Sequence, residues 1–91
     1  MPKMKSHSGM KKRVKITGSG KGPAGWFKLS DATVYYDHPV HAQADHTLNI
    51  DFANPAGAPG ARVAVELTAE SARELAGAIE RALAAVPSAM L

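Results

Sequence analysis

The sequence predicts an α+β fold, a four-stranded antiparallel sheet followed by one C-terminal helix (ββββα). Three observations carry this. Thr47–Phe52 and Arg62–Leu67 alternate apolar and polar residues, the period of a half-buried strand. Ala32–Tyr36 is rich in β-branched and aromatic residues. Ala72, Leu75, Ala76, Ile79 and Leu83 recur at the spacing of one helix face.

With 91 residues the chain is long enough for one domain with a small core. Cores of this size often need a disulfide, a metal or a second subunit. There is no cysteine, so disulfides and thiolate metal sites are excluded. No apolar run approaches the roughly 20 residues of a membrane-spanning helix, and the basic N-terminus lacks the apolar segment of a secretory signal. The expectation is a cytoplasmic protein with no membrane partner, forming a homodimer or larger assembly.

The net charge of +3 is unevenly spread. Residues 1–21 hold seven basic side chains and no acid, whereas residues 22–91 carry four basic and eight acidic ones. Residues 1–12 lack periodicity and read as a basic, flexible leader; 13–87 form the domain and 88–91 a tail. Such a leader suits nucleic acid, with Lys3, Lys5, Lys11, Lys12, Arg13 and Lys15 as phosphate contacts. It equally suits an arm lying on its own acidic domain.

Arg13–Thr17 places Val14 and Ile16 on one face of a short strand. Gly18–Gly25 is turn-rich and reads as a connector; its Gly-Ser-Gly-Lys lacks the spacing of a phosphate loop. Trp26 begins the ordered domain as a core lid or an interface anchor. Ser30-Asp31 marks a turn or bulge before the strand at 32–36. In the next strands Leu48, Ile50, Phe52, Val63, Val65 and Leu67 face inward, while Thr47, Asn49, Asp51, Arg62, Ala64 and Glu66 face outward. Ala53–Ala61 is a loop by composition. Thr68 is a suitable N-cap, Glu70 matches the positive end of the helix dipole, and Pro87 stops the helix.

Chemistry concentrates between the strands. Asp37–His46 holds three of the four histidines and two acids. His38, His41 and His46, with Asp37 and Asp45, are candidate ligands for a divalent transition metal: zinc, copper, nickel or iron. Asn49 and Asp51 could extend the site across the sheet. Plainer readings are that Asp37 caps its own turn and that His46 packs beside Tyr36. No nucleophile–base pair is evident, so no catalytic constellation is predicted. The expected function is binding of a metal ion or small ligand through 37–46. The alternatives are RNA or ribosome association through 1–21, or a ligand-free structural or interaction subunit.

Two resemblances bear on this. Met-Pro-Lys-Met-Lys-x-His-Ser-Gly at 1–9, Lys12-Arg13 and Thr17–Lys21 resemble the start of bacterial ribosomal proteins of the L-thirty-five family, which implies RNA contact for that block. Gly-Ser-Gly-Lys-Gly-Pro-x-Gly-Trp-Phe at 18–27, Asp-His-Pro-Val-His-Ala at 37–42 and the strands at 46–52 and 61–68 resemble a family of small actinobacterial proteins without assigned activity. That likeness implies a stand-alone cytoplasmic protein and carries no site roles.

Overall fold

A computed structural model describes residues 11–91. Strands β1 (Lys12–Gly22), β2 (Gly25–Asp37), β3 (Thr47–Ala53) and β4 (Arg62–Leu67) precede helix α1 (Ala69–Ala84), and a single 3-10 turn covers Ser88–Met90. The sheet is an antiparallel meander in the order β1-β2-β3-β4. This is the ββββα architecture expected from the alternation.

Register assigns the faces. Ala32 lies opposite Phe52, Val34 opposite Ile50 and Tyr36 opposite Leu48. Leu48, Ile50 and Phe52 pair in turn with Leu67, Val65 and Val63. Because strand side chains alternate, these residues form one apolar face. Thr33, Tyr35, Asn49, Asp51, Ala64 and Glu66 form the other, the division read from the sequence.

The first hairpin departs from expectation. Gly18–Gly22 continues β1 rather than forming a connector, and only Pro23-Ala24 turn. Gly25 supplies the positive φ (114°) that starts β2. Ser30 and Asp31 lie within β2, and the irregularity falls on β1, where the register slips between Lys15 and Gly18. One extra β1 residue there increases local twist. The sheet curls enough that a Cβ at Gly22 would stand 3.3 Å from the Gly60 carbonyl oxygen and 3.7 Å from that of Arg62. Leu29, Phe52 and Val63 line a small cavity of about 240 Å³ at this curled end. Trp26 is 72% exposed, so it is no core lid. Strand β1 begins at Lys12, and the residues after the helix carry a 3-10 turn.

Thr68 caps α1 as expected, its hydroxyl accepting from the Ser71 amide at 3.1 Å. Glu70 sits in the first turn, and the helix ends before Pro87. Yet no α1 side chain is buried. The helix overlies the apolar face without closing onto it. Ala32 and Ala61 are the only buried apolar residues among those described; Asp31, Thr47 and Asn49 are buried polar ones. No described helix is long and apolar enough to cross a membrane.

Candidate functional site

The segment between β2 and β3 is anchored by a carboxylate on the outward face of the sheet. Glu66, on β4, accepts the backbone N–H groups of Val40, His41 (3.0 Å) and Ala42 (2.8 Å). Three consecutive amides around one carboxylate form an anion-binding nest. Pro39 keeps the preceding backbone out of regular structure, leaving these donors without ladder partners. The Val40 amide first, then those of Ala42 and His41, hold the Glu66 carboxyl below its ordinary range, although desolvation acts the other way. The loop thereby lies against the polar face.

Beneath it, Thr47 is fully buried and donates its hydroxyl to Asn49 Oδ1 at 2.6 Å. Asn49 is itself buried. Arg62 donates to Asp51 Oδ1 at 2.8 Å, and the Tyr35 hydroxyl donates to Asp51 Oδ2 at 3.4 Å. Burial raises the Tyr35 pKa above its ordinary value, and the Asp51 carboxylate adds to the shift. Tyr35, Asn49, Asp51 and Arg62, with Glu66 and the loop residues His38 and His41, surround a concavity of about 480 Å³. Asn49 and Asp51 thus line the same concavity as His38 and His41.

The histidines divide between two places. His46 stacks on Tyr36, as read from the sequence, with ring centroids 5.8 Å apart; His38 lies 4.6 Å from His46. Asp37 caps its own turn: its Oδ1 accepts the His38 amide at 2.7 Å and stands 3.2 Å from His38 Nδ1. Tyr36 belongs to the apolar face, whereas the amide of His41 is tied to Glu66 on the polar face. His38 borders both places, lining the concavity with His41 and lying beside His46. Asp45 is exposed and joins none of these contacts. No three His, Asp or Glu side chains among the described residues gather as metal ligands.

Part of the basic arm lies on the domain. Lys15 Nζ is 3.1 Å from the buried Asp31 Oδ2, and the Lys11 ammonium sits 4.7 Å from the Tyr35 ring centroid. The hydroxyl of Ser30, donating at 2.6 Å, and then Lys15 hold the Asp31 carboxyl below its usual range. Lys12 and Arg13 belong to β1. Lys3 and Lys5 lie outside the described residues.

Glu66 and Thr47 were missed as site residues. The available signal was an acid and an asparagine on the outward face of adjoining strands, beside a loop rich in unpaired amides. Alternation placed them there without saying what they would hold.

A 21-residue stretch, 23% of the chain, is 76% identical to large ribosomal subunit protein bL35 of Salinispora arenicola. The chain spans about a third of that protein's length (33%). No solved structure matches the chain significantly. A family described only as of unknown function, DUF6295, matches residues 8–91, from the end of the leader through the whole sheet and helix. The chain belongs to that family.

Proposed function

We propose that the protein binds a small polar ligand in the concavity between the loop at 38–46 and the polar face of the sheet. One observation carries the reading: Tyr35, Asn49, Asp51, Arg62 and His41 converge on one hollow of about 480 Å³. Hollows of a few hundred cubic ångströms with a few fixed polar groups are typical small-molecule sites. The Arg62–Asp51–Tyr35 chain presents a cation, a carboxylate and a phenol in fixed order. That set favours a molecule with both donors and acceptors over a strongly charged one. Glu66 is committed to the loop amides, so it shapes the wall.

The test is an NMR titration of labelled protein with free amino acids, monosaccharides and nucleosides as probes. At least one probe class should move the Asn49 side-chain amide and the His41 ring signals, and Asp51→Asn should weaken that response. Silence of these signals to every probe at millimolar concentration would sink the reading.

A metal ion is the second reading, favoured by the close His38–His46 pair and by Asp37 beside His38 Nδ1, a carboxylate–imidazole arrangement common behind metal-bound histidine. Zinc, copper, nickel and iron are the metals such nitrogen donors suit. Elemental analysis of protein purified without chelator, alongside a His38→Ala/His46→Ala variant, separates the readings. A stoichiometric metal lost in the variant supports this one. No uptake of any of the four removes it.

A further inference from the structure

The apolar face of the sheet and the apolar stripe of α1 line one open groove of about 670 Å³, walled by Val34, Leu48 and Ile50 below and Ala72, Leu75 and Ile79 above. Neither wall is closed. Leu75 is 45% exposed and Ile79 53%, and the stripe runs past the groove to Leu83, 51% exposed. Strand spacing makes a four-stranded sheet about 19 Å wide, and a helix covers about 10 Å. One helix therefore covers about half the face.

We propose that a second copy of this chain covers the other half, its α1 lying antiparallel beside the first in a two-fold dimer. Charge complementarity favours a copy over an unrelated partner. Arg73 lines the groove, and Glu80 follows seven residues on, two turns along the same side of the stripe. The two have opposite sign. In an antiparallel two-fold pair, each flank meets the same flank of the other helix. A crossing between Ala76 and Gly77 then sets Arg73 of each copy opposite Glu80 of the other. Among the described residues, neither is in an ion pair within its own chain. Ala72 and Ala76 sit near that crossing, where small side chains let two helices approach closely.

The area is adequate. A helix of 16 residues is about 24 Å long and covers a strip about 10 Å wide, so it offers on the order of 240 Å². Each copy gives its helix and a matching strip of sheet. The dimer buries on the order of 1,000 Å², the lower bound of a specific interface. This dimer is independent of the ligand pocket, which opens on the opposite face.

Sedimentation velocity on the full chain, from micromolar to sub-millimolar concentration, tests the proposal. A reversible dimer is expected. Arg73→Glu and Glu80→Arg should each weaken it about tenfold, through two lost pairs and two like-charge contacts. The combined Arg73→Glu/Glu80→Arg protein should recover wild-type association. Leu83→Gln, outside the groove, should also weaken the dimer while circular dichroism retains the helix signal. A wild-type monomer throughout would overturn the proposal. So would charge reversals without effect, a double variant that fails to recover, a Leu83→Gln dimer of unchanged strength, or native mass spectrometry showing a monomer with a small apolar molecule bound.

Discussion

On the polar face of the sheet Thr47 is wholly buried and Asn49 is 5% exposed, whereas on the apolar face no helix side chain is buried and Tyr36 is 38% exposed. The difference does not follow hydrophobicity. It follows what lies across each face. The polar side is covered by a loop whose amides are bound to Glu66. The apolar side faces a helix of matching chemistry that stands off. A short, directional set of hydrogen bonds can close a surface within one small chain. Apolar closure needs area, and this chain has one helix for a sheet wide enough for two.

The contrast can be broken in a definite order. Thr47→Val should have the largest effect on stability. It keeps the side-chain shape but leaves buried Asn49 Oδ1 without its donor, a loss of about 1–3 kcal/mol in urea unfolding. A neutral result would mean that the polar face is wetter than the geometry indicates.

Next comes Thr68→Ala, which removes the N-cap of α1 and should lower stability by about 1 kcal/mol. A much smaller loss would show that the helix contributes little to the isolated domain.

Glu66→Gln should act locally. Hydrogen exchange at the Val40, His41 and Ala42 amides should accelerate while the strand amides keep their protection; Glu66→Ala should accelerate it further. Acid should do the same to the wild type. The Glu66 pKa is depressed on folding, so its contribution is complete above the ordinary glutamate pKa and is lost as pH falls through the folded value. Amide shifts of residues 40–42 should therefore titrate together at a pH below that of an ordinary glutamate. If they titrate at the ordinary value, the clamp is not holding charge.

The smallest effect is expected on the open face. Leu83→Gln keeps helix propensity and should change unfolding by no more than about 0.5 kcal/mol when the protein is dilute enough to be monomeric. A larger cost under those conditions would mean that the helix closes onto its own sheet in solution.

Most of the architecture was legible in the sequence, because β3, β4 and α1 each carry one apolar face and write that face as a period. The first hairpin was legible only in part. Gly18, Gly20 and Gly22 have no side chains to alternate, so strand and connector look alike there. In the site, Asp37 and His46 behave as their neighbours suggested. The central contact could not be read, because Glu66 binds backbone amides 24 to 26 positions away, and backbone amides carry no sequence signature.

Glycine in β1 has a consequence for solubility. Strands β1 and β4 are the sheet's edges, and an open edge invites pairing with another molecule's strand. At Gly22 the backbone comes so close to the Gly60 carbonyl and the Phe27 ring that a side chain would press against them, each 3.3 Å from its Cβ. The weakest strand by intrinsic propensity therefore lets the sheet coil until its two margins shelter each other at one end. Substituting a bulky β-branched residue there would strengthen the strand locally while pushing on the Gly60 carbonyl, leaving that end of the edge more open to pairing.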